Sequence, residues 1–399
     1  MGQELQGKLV VHVNHELPDV VRFNEYLERY ADVEFIPVPY HDRSSSRGAT
    51  WRADFVRIVG ERASSAAHGR PIVVIEDGGY FLEALHTLQL DMNAELCVEQ
   101  TMFGRRRAVA LSTAGDLRIP VISCARAIEK CRAEPHFLAI RLAELLSEYL
   151  LYTDAPSLLG KRIMILGYGI LGRALSWRLR AAYRADVTVV EPLEECRNAA
   201  RSEGFISYPR IQDVLECVDI IVGASGTSSL ARDDLHLILD KRGHVNGVRL
   251  TLVSVSSGEV EFQDILKQEM KAQKYPWGLL AFDEYGRDFN MLADGRPLNF
   301  FGRGLSLPFP VAHLINFRLM EGLAWALTSS PALRAEVYDW ASFDKAGSDL
   351  GVSEEVILRN LVSELGLSHG PEDPREVLIT HGLYSVHPCE RLLKGDTGQ

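Results

Sequence analysis

The stretch from Leu158 to Glu191 constrains the fold more than any other part of the chain. It contains an apolar run, Ile163 to Leu166, then a glycine-rich turn, and then a helix-forming segment that continues from Ala174 to Ala182. The glycines have the spacing G-x-G-x-x-G and are Gly167, Gly169 and Gly172. A buried strand, a glycine turn and a helix in this order predict the start of a doubly wound parallel sheet.

The same turn predicts a dinucleotide site, because each glycine has a separate task. Gly167 allows the tight turn, Gly169 lets the backbone approach a pyrophosphate, and Gly172 brings the helix close to the strand. Ile170 and Leu171, between the second and third glycines, are further candidate cofactor-binding residues, and the N-terminus of the helix that follows faces the anion. The alternative is a glycine-rich turn that only serves packing.

A second strand, Asp186 to Val190, is followed by Glu191. This acid lies about 20 residues beyond the turn, where a carboxylate usually binds the ribose diol of the cofactor. It favours NAD over NADP, because a 2′-phosphate would meet a negative charge. NAD is therefore the predicted cofactor.

Two further strands are predicted in this half of the chain, at 218–222 and 250–255. The first ends in GASGT, which includes Ser225 and Gly226, and the second ends in Ser256-Ser257-Gly258. We expect these strand ends to form the nicotinamide side of the cleft. The pattern from Trp277 to Asp294 is less regular.

The first 150 residues contain another α/β series, with apolar strands at 8–13, 33–38, 71–75, 95–101 and 119–124. The predicted fold class is therefore α/β, with two doubly wound, Rossmann-like domains around a central cleft and a helical C-terminal segment. We expect a substrate domain at 1–150, to which residues 310–350 return. A cofactor domain is expected at 151–309 and a helical extension at 351–399.

Four residues in the first half are candidate site residues, two at the ends of predicted strands and two on a predicted helix. His15 lies where the first strand gives way to a helix, and Asp77 follows the strand at 71–75. Lys130 and Glu134 are four residues apart on one face of a predicted helix. Each also has an ordinary interpretation, as a cap, a turn residue or a surface ion pair.

Composition excludes several classes of function. A net charge of −11 over 399 residues argues against a nucleic-acid surface, and we interpret the basic stretch Arg105 to Arg107 as a solvated face or an interface. No apolar run is long enough to span a membrane, and the N-terminus has no signal-peptide core, so we expect a cytosolic protein. The six cysteines have no C-x-x-C spacing, and no metal site is predicted.

Several stretches together resemble the S-adenosylhomocysteine hydrolase family, in the order found in that family. In the first half these are EDGGY (76–80), EQTMFG (99–104) and EKCRAEP (129–135). In the second half they are GYGILG (167–172), VVE (189–191), GASGT (223–227), SVSSGEVE (254–261) and LADGRPLN (292–299). The resemblance covers about residues 10 to 330.

The resemblance implies roles for individual residues. It places His15, Asp77 and Lys130 on the family's catalytic histidine, aspartate and lysine, and Glu134 where the family has an aspartate beside that lysine. It implies that Thr101, Ser225 and Asn299 lie near the nicotinamide end of NAD, and that Gly167, Gly169, Gly172 and Glu191 hold the rest of the cofactor. We also expect a nucleoside-like small-molecule substrate and a homo-oligomer, either a dimer or a tetramer.

The departures from the family pattern fall on substrate contacts. Gln100 replaces a substrate-binding glutamate, Ser257 replaces a histidine, and Leu17 stands where the family has an adenine-contacting threonine. Pro135, Ala139 and Leu307 replace an asparagine, a cysteine and a histidine. The segment GLYSVHPCERLLKGDTGQ has no counterpart of the family's cofactor-covering tail. We therefore expect S-adenosylhomocysteine to be a poor substrate or none.

Three functions remain open on the sequence. The first is an NAD-dependent enzyme that transiently oxidises the ribose 3′-hydroxyl of a nucleoside-like substrate, followed by elimination, hydrolysis or epimerisation. The second is a net NAD-dependent dehydrogenase of a small hydroxy compound. The third is a non-catalytic NAD-binding regulatory protein.

Overall fold

The computed structural model describes residues 3–39, 51–90, 92–127, 129–214, 217–242, 248–256, 261–266, 271–301, 306–329 and 333–339, and short stretches at 358–359, 361–363, 365–367, 373–381 and 383. Its strands are β1 Leu9–His15, β2 Asp32–Val38, β3 Ile72–Glu76, β4 Ala94–Glu99, β5 Val121–Ser123, β6 Arg162–Leu166, β7 Asp186–Val190, β8 Ile206–Tyr208, β9 Ile220–Gly223, β10 Leu250–Ser254, β11 Lys271–Tyr275, β12 Gly278–Phe282, β13 Asp288–Leu292 and β14 Val337–Asp339. Its α-helices are α1 Pro18–Leu27, α2 Trp51–Ala67, α3 Tyr80–Thr87, α4 Met102–Ala114, α5 Glu134–Leu150, α6 Ile170–Tyr183, α7 Glu194–Ser202, α8 Arg232–Arg242, α9 Gln263–Leu266, α10 Phe309–Ser329 and α11 Pro374–Thr380.

These elements divide between two compact units. Unit 1 holds the described residues of Met1–Glu134 and Arg303–Val386, and unit 2 holds those of Pro135–Gly302. The chain thus passes from unit 1 to unit 2 at the start of α5. The reason lies in packing, because the apolar side of α5 belongs to the core of unit 2 through residues such as Leu142 and Leu146.

Unit 1 is built on a parallel sheet with the strand order β2-β1-β3-β4-β5-β14. Its central strands β1 and β3 are buried along their whole length, as strands of parallel sheets are. One face packs against α1 and α10 through a cluster that includes Val10, Val73, Phe23 and Leu323. The strand order reverses between β1 and β3, and open α/β sheets bind ligands outside the carboxyl ends of the strands at such a reversal.

Unit 2 is built on a larger sheet with the order β8-β7-β6-β9-β10-β13-β12-β11. The strands from β8 to β13 are parallel, and β12 and β11 extend the sheet in antiparallel fashion. The parallel part follows the order of a dinucleotide-binding sheet, and its reversal lies between β6 and β9. The glycine turn after β6 and the GASGT loop after β9 therefore lie at the same point.

In the core of unit 2, alternate side chains of a strand pack on opposite faces of the sheet. Ile163 and Ile165 of β6 belong to a cluster with residues of α5, α6 and α7. Met164 and Leu166 belong to a second cluster, with residues of α8 and α9. Successive side chains of a strand point to opposite faces, so helices cover both sides of this sheet.

The predicted α/β fold class with doubly wound, Rossmann-like sheets is confirmed. The sequence analysis did not predict β8, β11, β12, β13 and β14. The pattern between Trp277 and Asp294, which holds β12 and β13, is interrupted by turns, and β8 and β14 are only three residues long. Of the predicted C-terminal extension the structure describes α11 and a few neighbouring residues, and the tail beyond Leu383 lies outside the described residues.

Two arginines of the basic stretch are not on a solvated face, which corrects the interpretation from sequence. Arg105 is buried and forms a two-point ion pair with Asp339, at 2.6 and 2.7 Å. Arg107 donates to the Gly78 carbonyl oxygen, and its guanidinium lies 4.2 Å from the centre of the Phe103 ring. Of the three arginines, Arg106 alone is exposed.

Candidate functional site

The turn between β6 and α6 has the geometry of a phosphate-binding turn. Gly167 has φ = +101°, and a Cβ there would lie 2.8 Å from the Ala224 carbonyl oxygen and 2.8 Å from the Ser225 Cα. A Cβ at Gly172 would lie 2.1 Å from the carbonyl oxygen of Gly167. Both positions therefore require glycine, one for its conformation and both for close approach.

The ligand side of this turn is open. Gly169 is the N-cap residue of α6, and a Cβ there would meet no atom of the described chain within 4 Å. As a glycine, this N-cap residue has no side chain that could cap the helix. The first N–H groups of a helix have no acceptor within it, so those of Ile170 and Leu171 point towards the place where an anion would bind.

Glu191, the residue proposed from the sequence for the ribose diol, lies directly beside the glycine turn. Its carboxylate accepts the Tyr168 N–H at 2.8 Å and the Leu193 N–H at 2.8 Å, one on each oxygen. Each oxygen keeps a second lone pair, which a ribose hydroxyl can use. A nucleoside ribose next to the glycine turn would therefore find a fixed acceptor.

The loop after β9 is held by a residue to which the sequence analysis assigned no role. Glu261 is fully buried, and its carboxylate accepts the Gly226 N–H at 2.7 Å and the Ser225 hydroxyl at 2.9 Å. It also accepts the hydroxyls of Ser229 and Ser256. Glu261 is the last residue of the SVSSGEVE stretch that carries the family resemblance, but nothing in that stretch indicates which loop its carboxylate holds.

In unit 1 the candidate catalytic residues lie near the carboxyl edge of the sheet. His15 is the last residue of β1 and Asp77 follows β3, so both flank the point where the strand order reverses. The His15 Nε2 atom lies 3.9 Å from an Asp77 carboxylate oxygen. The structure thus brings together two residues that are far apart in the chain.

Lys130 and Glu134 reach the same edge from the segment after β5. A π-helical turn, Glu129–Ala133, leads into α5, and the Lys130 Nζ contacts both oxygens of Glu134, at 2.8 and 2.7 Å. Their side chains are only 14% and 15% exposed, so the pair is not surface decoration. Both residues are close enough to Asp77 to influence its titration.

The charges in this cluster oppose one another. Burial raises the pKa of Asp77 to about 6, while Lys130 lowers it and Glu134 raises it. Burial lowers the pKa of Lys130, but the charge of Glu134, its hydrogen bond and the charge of Asp77 outweigh that effect, and the pKa is raised. In this arrangement Lys130 is an ammonium group that stabilises the neighbouring carboxylates.

The carboxyl groups of Glu76 and Glu99, both fully buried, lie next to Asp77. Glu99 accepts the Thr101 N–H at 2.6 Å, the Thr101 hydroxyl at 2.7 Å and the Gly78 N–H at 3.2 Å, all on one oxygen. Burial and the negative charges of Glu76 and Asp77 raise the pKa of Glu99 well above its usual range. Glu99 thereby ties the loop that carries Asp77 to the loop after β4.

A chain of buried amides and a histidine fixes the orientation of Gln100. The His15 N–H donates to the Asn14 Oδ1 at 2.7 Å, so the Asn14 amide nitrogen must be the donor to the Gln100 Oε1 at 3.3 Å and to the His12 Nε2 at 3.2 Å. Burial lowers the pKa of His12 to about 4, in agreement with an unprotonated Nε2. Gln100 therefore keeps its amide N–H groups for other partners.

The remaining predicted residues are divided between the units. Thr101 caps α4 in unit 1 by accepting the Gly104 N–H at 3.1 Å, whereas Asn299 lies buried in a 3₁₀ turn, Leu298–Phe300, of unit 2. Among the family departures, Leu17 and Leu307 are buried apolar residues. Ser257 lies outside the described residues. Among the described residues no group of three potential ligands could hold a metal ion, and none of the described helices is long and apolar enough to cross a membrane.

Curated proteins of known activity resemble the chain over about half of its length. An adenosylhomocysteinase from Thermoplasma volcanium is 26% identical over 240 residues, which is 57% of this chain and 54% of the relative. An adenosylhomocysteinase from Thermotoga maritima is 27% identical, over 58% of this chain and 55% of the relative. An S-inosyl-L-homocysteine hydrolase from Methanocaldococcus jannaschii is 26% identical, over 49% and 46%.

The chain thus spans about half the length of the curated relatives it matches. No family model matches it. Among solved structures, a glyoxylate reductase from Paecilomyes thermophila covers 80% of this chain and 95% of its own, with 15% identity and a TM-score of 0.41. That similarity is too low to support an argument about function.

Proposed function

We propose that this chain, a divergent member of the adenosylhomocysteinase family, is an NAD-dependent enzyme that transiently oxidises the ribose 3′-hydroxyl of a nucleoside-like substrate. The observation that carries the proposal is the buried group of His15, Asp77, Lys130 and Glu134, which lies near the edge of the unit 1 sheet where ligands bind in such folds. Elimination, hydrolysis or epimerisation would follow the oxidation.

The residues of unit 2 fit NAD. The open side of Gly169 and the uncapped start of α6 suit a pyrophosphate, and Glu191 offers acceptors to a ribose diol. When bound, NAD+ supplies a hydride acceptor and a positive charge.

The proposed roles in unit 1 follow from the charges of its residues. Lys130 would hold or accept the hydroxyl proton of the substrate, and Glu134 would orient the lysine through its two-point contact. To act as a base, Lys130 needs a lower pKa than it has here, because Glu134 and Asp77 raise its pKa. Burial lowers the pKa of Lys130, and a nearby positive charge would lower it further. His15, close to Asp77, would handle the proton of the leaving group.

The proposal is tested by loading the purified protein with NAD and adding adenosine, inosine or S-adenosylhomocysteine. Absorbance of the reduced cofactor reports oxidation, and a thiol assay reports release of homocysteine. We expect cofactor reduction with at least one nucleoside and little or no thiol release from S-adenosylhomocysteine. Lys130→Ala should abolish reduction, because it removes the proton acceptor.

Lys8→Ala is the matched control, since Lys8 also pairs with a glutamate, Glu95, on unit 1. It should leave reduction unchanged. Brisk thiol release that depends on Lys130 would identify a true hydrolase. Release of reduced cofactor into solution would favour a net dehydrogenase, and binding of NAD without any reduction would favour a non-catalytic protein.

A further inference from the structure

Glu261 is a buried carboxylate whose acceptor sites are all used inside the protein. It has no exposed surface, and its two oxygens accept one backbone N–H and three hydroxyls, those of Ser225, Ser229 and Ser256. Its own carbonyl oxygen accepts the Ser229 N–H at 3.0 Å. The glutamate therefore determines the course of the loop from Ser225 to Ser229.

This arrangement also fixes the direction of the hydrogen bonds. The hydroxyls of Ser225, Ser229 and Ser256 each donate to a carboxylate oxygen of Glu261. Ser225 donates its single proton to Glu261 and accepts the Thr227 N–H at 3.1 Å. Its second lone pair faces the Thr227 hydroxyl, also at 3.1 Å, and Thr227 is exposed. When that hydroxyl turns its proton away, the lone pair suits a ligand that donates an N–H.

The loop lies on the second half of the dinucleotide-binding sheet. Glu191, after β7, marks the half that binds the first nucleotide, and β9 and β10 belong to the other half. A Cβ added to Gly167 would lie only 2.8 Å from the Ser225 Cα, so this loop directly adjoins the glycine turn. Space at Gly223 is also limited by Glu261, because a Cβ there would lie 2.7 Å from the Glu261 Cβ.

We propose that Glu261 is a positioning residue for the nicotinamide half of the cofactor, which it serves by holding Ser225 and Gly226 in place and presenting the Ser225 hydroxyl as an acceptor to the carboxamide N–H. This inference rests on the proposed use of NAD. It adds a residue that does not touch the cofactor itself and that the sequence did not single out.

The test compares two ligands, NAD and ADP-ribose, the latter of which lacks nicotinamide. Binding of each to nucleotide-free protein is measured by titration calorimetry for the wild type, Glu261→Gln and Ser225→Ala. The amide nitrogen of a glutamine would face donors, so the loop must move. We expect NAD affinity to fall about tenfold or more, as loss of one well-placed hydrogen bond implies, while ADP-ribose affinity changes less than about twofold.

Asp219→Asn is the control for a loss of structure alone. Asp219 lies at the N-terminal end of β9, whereas the Ser225 loop follows its C-terminal end. Its carboxylate accepts the Arg162 backbone N–H at 3.1 Å and an Arg162 guanidinium N–H at 2.9 Å. It should leave the ratio of the two affinities unchanged. Ser225→Ala keeps the Glu261 carboxylate and its other three donors. If Glu261→Gln does not fold, the ratio of the two affinities in Ser225→Ala decides the test.

If Glu261→Gln and Ser225→Ala weaken both ligands equally, or weaken neither, the inference is overturned, while the proposed use of NAD by the wild type still stands. A wild type that binds neither ligand would instead refute the proposed function.

Discussion

Asp77 is a carboxyl group whose titration follows directly from its surroundings. Its side chain lies between His15, Lys130 and Glu134, and burial is the largest cause of its raised pKa. The folded protein holds a proton on Asp77 up to about pH 6, whereas the ordinary value is 3.8. Ionising this group therefore costs folding free energy, and the cost appears as the pH rises through that window.

We predict that Asp77→Asn stabilises the protein more at pH 7.5 than at pH 4.5. Below the ordinary pKa both states are protonated and there is no cost, while above pH 6 the full cost applies. The difference between the two pH values should be about 2 kcal/mol in the free energy of unfolding. Urea unfolding of the wild type and the variant at both pH values measures it, since pH-independent effects of the substitution cancel. The same gain at both pH values would contradict the assignment.

At the scale of elements, the π-helical turn before α5 is what makes Lys130 and Glu134 a buried pair. It lies after β5, where the chain leaves the unit 1 sheet, and it brings the lysine to the edge that carries Asp77. π-Helical turns occur frequently at functional sites. Spacing alone would allow an exposed pair, so the position of the turn, not the i, i+4 interval, decides the chemistry.

The packing of α4 against β4 depends on a glycine. A Cβ on Gly104 would lie 2.0 Å from a carboxylate oxygen of Glu99 and 2.1 Å from its carboxyl carbon. Glu99 is itself held by Thr101 and Gly78 and cannot retreat without losing those bonds. The first turn of α4 thus approaches the sheet as closely as glycine permits.

We predict that Gly104→Ala destabilises the protein by about 1–3 kcal/mol, the usual cost of overfilling a core. Gly60→Ala in α2 is the matched control, because the nearest atom to its Cβ is the tip of the flexible Leu90 side chain, at 2.8 Å. Alanine also favours a helix interior by about 1 kcal/mol over glycine. Urea unfolding should therefore show a clear loss for the first variant and little change for the second; similar values for both would argue against the clash.

At the scale of the whole molecule, each unit has its own sheet and its own apolar clusters. The cluster of unit 1 contains residues of α1 and α10 with β1 and β3, and the clusters of unit 2 lie on the two faces of its sheet. A ligand that binds one unit stabilises that unit by mass action.

We therefore predict that calorimetric unfolding shows two transitions and that NAD raises the temperature of one of them. At 100 times the dissociation constant the gain is about 2.7 kcal/mol. Glu191→Ala should reduce the shift by NAD more than the shift by NADP, since the variant loses the acceptor for the diol and also the charge that repels a 2′-phosphate. A single transition that moves as a whole, or equal loss for both cofactors, would contradict this prediction.

The sequence alone determined the features whose signals are local. The apolar run before Gly167, the spacing of the glycines and the strand before Glu191 lie within one continuous stretch, so the β6-turn-α6-β7 unit could be placed almost to the residue. The same holds for the alternation of strands and helices in both halves. The family resemblance, carried by the order of short motifs, is confirmed by the curated relatives.

Tertiary structure decided the features that depend on contacts between distant residues. Nothing near Arg105 in the sequence indicates Asp339 as its partner, and nothing near Ser225 indicates Glu261. The raised pKa of Lys130 likewise requires Asp77 and Glu134 to lie beside it in a buried place. Periodicity reports which side of an element is buried, but burial of a charge and the identity of its partner are properties of the packed chain, and only the folded arrangement can reveal them.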